Sequence, residues 1–469
     1  MLVTERRWVN TPKDLRTYIE EIKDQLIIVD KEVDIRLNLA AYSAQSPSPI
    51  MFTNIKGYPG WKICDILFKN RKSQGRALGV SSREVVPEMA KLLKRPGQCK
   101  VVPTGPVKEQ KMLYDEVDLA KLPIPVHSDV NKGPYITSGM CVTRDPETGI
   151  RNVAFLRNQV KLRNATGFMM AGGHSWEIFS KYEQRDEAMP MAIVIGHHPL
   201  YEVAAAFRGS IDLDEFELAS SFIGETVELV KCETVDIEVP AHAEIVIEGK
   251  VSPRVREPEG PFCEFTNYCV AQGSNPVFNV SAITMRKDAI YRNIQTPRFT
   301  DHQAIASLPR EAHIFSRLKD VEGGLDLHDI HTPPWGGSFL VLVQMTAHFE
   351  GQARTAALAA LSTANFMPKI VIVVDDDVDI YNAEDVMWAV CTRVNPQTDI
   401  FVINDMRIYP MDLSCPEISP PGEKSWQRIG GKMGIDATKP STFRSEERKK
   451  FKRALPIGFG LELSDLLSK

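Results

Sequence analysis

The chain has 469 residues, 43% of them hydrophobic and 25% charged, with a formal net charge of −5. Such a length buries a large core divided over about three domains, and the mildly acidic balance offers no basic stripe for a phosphate backbone or an anionic lipid surface, so neither nucleic acid nor membrane is expected as a partner. No uncharged apolar run reaches the ~18 residues of a bilayer span and no apolar leader follows Glu5, Arg6 and Arg7, which points to a cytoplasmic protein.

Residues 1–115 alternate helical and strand patterns and read as an N-terminal α/β domain. Thr11-Pro12-Lys13-Asp14 supplies an N-cap with proline in the first turn, followed by Leu15, Tyr18, Ile19 and Ile22 at helical spacing. A second helix is expected over 81–93, where Val85, Val86, Met89, Leu92 and Leu93 make a core stripe. From 116 to 300 the texture changes to short alternating runs punctuated by Gly and Pro, such as Ala243-Glu-Ile-Val-Ile-Glu-Gly-Lys-Val251, which predict antiparallel strands of a barrel-like domain. A helix over 213–224 interrupts it. Residues 301–450 return to α/β: a helix over 353–365, a strand over 370–374, a helix over 383–392 and a strand over 400–403 suggest a crossover unit in a mainly parallel sheet. The remaining 451–469 form a tail, with a short docking helix over 461–467.

Eight scattered cysteines without CxxC pairs fit reduced thiols better than a zinc framework or a disulfide scaffold. No Walker loop, GxGxxG fingerprint, GxSxG elbow or HExxH helix occurs, which removes the usual nucleotide, dehydrogenase, hydrolase and zincin chemistries.

Several segments carry residues with chemical potential. Glu259-Gly-Pro-Phe-Cys-Glu264 sets two carboxylates around a glycine-proline turn, either a site or a surface loop with two solvated acids. Asn152-Val-Ala-Phe-Leu-Arg157 places an arginine at the end of an apolar strand, where its charge needs a carboxylate partner, structural or catalytic. His174 follows Ala171-Gly-Gly173, whose small residues let backbone approach a ligand, and Asn152, His174 and Glu215 together make a hard oxygen and nitrogen set for a divalent ion. Asp375, Asp376, Asp377 and Asp379 follow a strand and read as a cap on the next helix in preference to an ion site. His197 and His198 read as surface or packing residues. Arg298, His302 and Arg310 fall between the β domain and the last α/β domain, either as inter-domain ion pairs or as ligands for a second polar or anionic group of a substrate. His328 and His331 are weaker candidates of that kind.

The motifs Gly133-Pro-Tyr-Ile, Asn152-Val-Ala-Phe-Leu-Arg157, Asp214-Glu215 leading into Glu228-Leu-Val-Lys-Cys232, and Val239-Pro-Ala-His-Ala-Glu-Ile-Val-Ile-Glu-Gly249 occur in order. They continue through Glu259-Gly-Pro-Phe, Asp375-Asp-Asp-Val-Asp379, Trp388-Ala with Thr392-Arg393, and Gly431-Lys-Met-Gly-Ile-Asp436. In these the sequence resembles the UbiD family of decarboxylases, which use prenylated FMN. The resemblance implies a central split β-barrel of flavin-reductase type and a catalytic set of Arg157, Glu259 and Glu264. It also implies that Asn152, His174 and Glu215 hold a metal, usually Mn2+ with K+ nearby, and the cofactor phosphate, with Arg157 also beside the cofactor. A flavin prenyltransferase would supply the cofactor, and the protein would be a homo-oligomer, dimer or hexamer.

On this reading the function is reversible, non-oxidative decarboxylation of an aromatic, heteroaromatic or α,β-unsaturated carboxylic acid. Arg157 orients the carboxylate, Glu259 holds Arg157 and Glu264 is the proton donor. The alternative is a flavin-binding subunit of a carboxylase complex, without chemistry of its own. Cys263 stands where the family motif commonly has glycine, and a turn with positive φ there would strain it.

Overall fold

The computed structural model describes residues 12–457 apart from 96, 171, 297–300, 322, 364–367, 419–426 and 455. Arg298 and the helix expected over 461–467 therefore lie outside the described residues. The first helix, Leu15–Glu21, is capped by Asp14, whose side chain accepts from the Thr17 N–H while Thr17 answers the Asp14 backbone. Asp14, not Thr11, is thus the cap, because the reciprocal box needs a hydroxyl at its third residue and Thr17 supplies it. The 81–93 stripe forms the helix Val85–Leu92, with Val85, Val86, Met89 and Leu92 buried.

Three structural layers follow from the hydrophobic patterns. A four-stranded mixed sheet is ordered Ile27–Val29, Ile50–Phe52, Lys62–Asp65, Ile290–Arg292. A nine-stranded antiparallel sheet dominates the centre, with the long strands Ile245–Glu259 and Gly273–Met285 paired over most of their lengths. Its path runs from Tyr135–Ile136 at one end to Arg151–Phe155 at the other. The 213–224 expectation becomes the helix Glu215–Ile223, begun by Asp214 and ended by Gly224 in the left-handed region.

The last sheet corrects the expected crossover. Ile400–Ile408 does not lie beside Ile370–Val374; it pairs antiparallel with Arg428–Ala437, and that strand is the parallel neighbour of Ile370–Val374. The crossover unit is instead Leu340–Thr346, helix Gln352–Leu361 and Ile370–Val374. Arg428–Ala437 escapes the pattern because it contains Gly430, Gly431 and Gly434, and a strand interior rarely carries three glycines. Gly434 is needed there: a Cβ would come within 2.2 Å of the Phe401 ring.

The four aspartates do not cap a helix either. Asn382 caps Ala383–Arg393, while Asp377 is gripped bidentately by Arg393 at 3.0 and 2.9 Å and Asp375 pairs with Arg448. Their work is to pin the chain beyond the last sheet. His197 and His198 are buried, not surface, and pack on Tyr201 and Tyr18.

The parts meet on buried charge. Arg292, fully buried, is held bidentately by Glu202 at 2.9 and 3.1 Å and by Asp301 at 2.5 Å, with Asp65 at 4.0 Å. Asp301 also accepts the Leu67 N–H, and Asp65 accepts from Asn293 and Gln295. A second junction joins Arg71 to Glu311 at 2.6 Å and to the Tyr381 hydroxyl at 3.0 Å. Breaking a buried pair from one side leaves uncompensated charge, so Arg292→Met is expected to cost roughly 3–5 kcal/mol of stability, read from urea unfolding midpoints. An unchanged midpoint would mean the cluster does not hold the parts together.

Candidate active site

Arg157 sits in the short connection between the strands Arg151–Phe155 and Asn158–Leu162, and Asn158 steadies that connection by donating to the Leu156 carbonyl at 2.7 Å. Glu259 is the last residue of its long strand. The chain then turns through Gly260, whose φ of 96° no β-carbon would tolerate easily, and re-forms a two-residue strand, Phe262–Cys263, that ends at Glu264. The turn brings both carboxylates onto one guanidinium. Arg157 donates through Nε and Nη2 to the two oxygens of Glu259, each at 3.1 Å, and through Nη1 to Glu264.

The cluster is largely removed from water: the Arg157, Glu259 and Glu264 side chains are 8%, 0% and 13% exposed. Burial works to lower the Arg157 pKa, but Glu264 and Glu259 outweigh it and the guanidinium ends up raised. Asn275 donates to Glu259 at 3.0 Å, and the Phe262 ring lies 4.7 Å from the Arg157 guanidinium carbon. The buried Tyr135 hydroxyl faces the same carboxylate: burial raises its pKa and Glu259 raises it further. Sequence reasoning missed Asn275, Phe262 and Tyr135 as members of this group. Tyr135 and Phe262 stood inside the motifs Gly133-Pro-Tyr-Ile and Glu259-Gly-Pro-Phe, but nothing in their spacing marked them as facing Arg157 and Glu259.

Cys263 does not bear the strain that positive φ would bring. It lies in extended backbone, donates its N–H to Asn131 Oδ1 at 3.0 Å and accepts from Thr296 through its carbonyl at 2.8 Å.

Asn152, His174 and Glu215 converge from three elements. Asn152, in the strand that leads to Arg157, donates to Ser175 at 3.0 Å, the residue after His174 at the start of helix His174–Gln184. Glu215 opens its own helix and accepts the Val153 N–H at 2.6 Å. Gly172 and Gly173, at φ 82° and 81°, form the approach to His174 as the Ala-Gly-Gly run anticipated. Burial pushes the Glu215 carboxyl up to about 8, the mark of a carboxylate desolvated without a full counter-charge. An amide, an imidazole and such a carboxylate fit a hard divalent cation. Among the described residues no cluster of three or more His, Cys, Asp and Glu side chains that could hold a metal occurs.

Beyond Glu264 lies an aromatic wall. The Phe265 ring is 5.9 Å from Phe339 and 5.6 Å from Tyr409, and 6.4 Å from the half-buried His302 imidazole. Arg310, also buried, donates to the Ser338 carbonyl at 2.9 Å, and Arg208 reaches the Tyr409 hydroxyl at 3.4 Å. Burial pulls Arg310 down to about 10, with Arg208 adding to the fall, and burial likewise lowers His302 although Glu264 acts against it. His302 is thus near enough to Glu264 to feel its charge and Arg310 lies beside Ser338, whereas His331 is bound to Glu311 at 3.2 Å and His328 to Thr346 at 2.8 Å.

Models of the 3-octaprenyl-4-hydroxybenzoate carboxy-lyase N-terminal, Rift-related and C-terminal domains match residues 19–93, 100–299 and 303–437. The chain belongs to the UbiD family, the prenylated-FMN-dependent decarboxylases. Anhydromevalonate phosphate decarboxylase of Methanothermobacter thermautotrophicus is 29% identical over 427 residues, 91% of this chain and 97% of the relative. Among solved structures, the UbiD-class enzyme HmfF of Pelotomaculum thermopropionicum in complex with FMN superposes with a TM-score of 0.87 at 33% identity, covering 97% of this chain and all of that one. The 3,4-dihydroxybenzoic acid decarboxylase of Klebsiella pneumoniae gives 0.85 at 29% identity, over 95% and 97% of the two chains. No helix among the described residues is long and apolar enough to cross a membrane.

Glu215→Gln should keep the fold but lose bound divalent metal, measured by elemental analysis of protein purified with manganese, with and without potassium. Full metal content in that variant would place the ion elsewhere.

Proposed function

We propose that the protein decarboxylates an aromatic, heteroaromatic or α,β-unsaturated acid that carries a second anionic group, with Arg157 as carboxylate anchor and Glu264 as acid. The observation that carries this reading is the sharing of one buried guanidinium by Glu259 and Glu264. Loss of carbon dioxide from an sp² carbon leaves a carbanion that side chains cannot stabilise, and prenylated FMN supplies the electron sink when bound. Asn152, His174 and Glu215 would hold a divalent ion such as Mn2+ and help to bind the cofactor phosphate.

The rest follows from charge. A guanidinium has five N–H donors; Glu259 takes two of them side-on, and Glu264 takes one at Nη1. An incoming carboxylate competes for the Nη1 end and displaces Glu264, because the Glu259 pair is bidentate and additionally held by Asn275. Once displaced, Glu264 has lost its counter-charge and gained a negative neighbour in a desolvated pocket. Both changes penalise its negative charge, which suits it to serve as the acid. Departure of carbon dioxide then leaves a basic carbon beside a neutral carboxylic acid, and proton transfer completes the exchange of carboxyl for hydrogen. Reversal at high bicarbonate uses the same groups in the opposite order.

His302 and Arg310, with Arg208 and the wall of Phe265, Phe339 and Tyr409, suit a flat substrate whose far end is anionic. Relatives named for 3,4-dihydroxybenzoic acid and for anhydromevalonate phosphate show that family members accept planar and charged acids.

Glu264→Gln should lower turnover roughly 10²- to 10⁴-fold while flavin content, read by absorbance and intact mass, is unchanged. A flavin-replete Gln variant at normal turnover would remove Glu264 from the chemistry. Arg310→Met is expected to raise KM for a dicarboxylic substrate by roughly tenfold or more and to leave the matching monoacid little affected; equal losses on both acids would make Arg310 structural.

A further inference from the structure

The hairpin that carries Glu264 also carries two thiols. Its strands Phe262–Cys263 and Cys269–Val270 run antiparallel, with Cys263 opposite Cys269. The backbone decides what kind of opposed pair this is. Glu264 donates its N–H to the Tyr268 carbonyl at 3.0 Å, and hydrogen-bonded pairs alternate with non-hydrogen-bonded ones along an antiparallel ladder. The next pair is therefore of the second kind. Cys263 agrees: its N–H goes to Asn131 and its carbonyl to Thr296, both off the partner strand. Such a pair has Cα atoms about 4.5 Å apart and side chains projecting together from one face, and that separation lies inside the ~4.4–6.8 Å that disulfides span.

The two thiols differ in access. Cys269 is exposed and Cys263 is 8% exposed. Burial raises the Cys263 pKa against a hydrogen bond with Ser128, and the neighbouring Cys269 adds to the rise. The outer sulfur is thus the one an oxidant meets, and the inner one is placed to resolve it.

We propose that Cys263 and Cys269 form a reversible oxidation site, a disulfide that fixes the turn bearing Glu264. With a hydroperoxide as oxidant, the Cys269 thiolate attacks a peroxide oxygen, the O–O bond breaks, and the products from hydrogen peroxide are a sulfenic acid and hydroxide, which takes up the proton released by the thiol and becomes water. The Cys263 sulfur then attacks the Cys269 sulfur, the S–O bond breaks, and the Cys263 proton leaves with the hydroxide as a second water. One peroxide is reduced and two thiols are oxidised. The bond ties both ends of the turn 264–268, so Glu264 can no longer swing away from Arg157 when a substrate carboxylate arrives; this consequence rests on the assignment of Glu264 as the acid.

The test uses the full-length protein, treated with hydrogen peroxide, quenched and alkylated. Peptide mapping should recover Cys263 joined to Cys269 and unalkylated, restored to two alkylated thiols by a thiol reductant, and amide hydrogen exchange over 262–270 should slow on oxidation. Cys269→Ser, an exposed position, should show neither change. Full alkylation of both thiols after peroxide, or unchanged exchange in the wild type, overturns the proposal. In the flavin-loaded enzyme, oxidation should cut the initial rate roughly tenfold or more, reversibly and in the wild type alone. A disulfide that forms and slows exchange while leaving the rate untouched supports the site and overturns the role given to Glu264.

Discussion

The structure depends on a guanidinium that has no water to fall back on. Arg292 is fully buried, and desolvating it costs several kcal/mol unless carboxylates surround it. Those carboxylates come from the strand Lys62–Asp65, the helix Pro199–Ala205 and the helix Asp301–Lys319, so the charge balances only when all three segments are present. Three acids around one base leave an excess of negative charge. Burial and Asp301 accordingly push the Asp65 carboxyl up to about 6, and the cluster takes up a proton below that pH.

Arg157 is built from the same parts to the opposite end. Glu202 and Asp301 use the donors of Arg292 up to its rim, and its last Nη1 contact is the Asn293 carbonyl. Arg157 is held bidentately by Glu259 and through a single Nη1 contact by Glu264, which the proposed function makes the replaceable partner. A saturated arginine fixes structure; an arginine with an exchangeable partner can exchange it for a ligand. The difference lies in the chain around the acids. Glu202 and Asp301 stand on helices packed in the core, whereas Glu264 follows a two-residue strand beyond a glycine turn.

How much of this the sequence disclosed follows the same division. Residues whose partners are near in chain or whose motifs are dense were legible: Arg157 with its strand, Glu259 and Glu264 with their turn, the small-residue approach to His174. Arg292 was not, because its partners lie 227 residues before it, 90 before it and 9 after it, and each alone looks like an ordinary surface charge. The strand Arg428–Ala437 was hidden by glycines that serve Phe401 rather than a turn. The aspartates after Ile370–Val374 suited a cap by position, but Asn382 lies nearer the helix and the arginines that claim them come from 16 and 73 residues later. Long-range charge pairing leaves no periodic trace for a single sequence to show.

On the proposed function, the two ends of the site differ in a way that would set the order of events. At the Arg157 end, two carboxylates already surround one guanidinium, so binding there would be an exchange of carboxylates with little net Coulomb gain. At the far end, Arg310 is buried with Arg208 adding like charge, and burial lowers the His302 pKa. On the proposed function, an anion arriving there would meet two arginines, so much of the electrostatic gain would be made away from the reacting carbon. That gain is what can drive the exchange at Arg157: binding energy collected at a remote group offsets the cost of displacing and protonating Glu264. An acid without the remote group would still fit the aromatic wall, but it would have to displace Glu264 from its ion pair unaided.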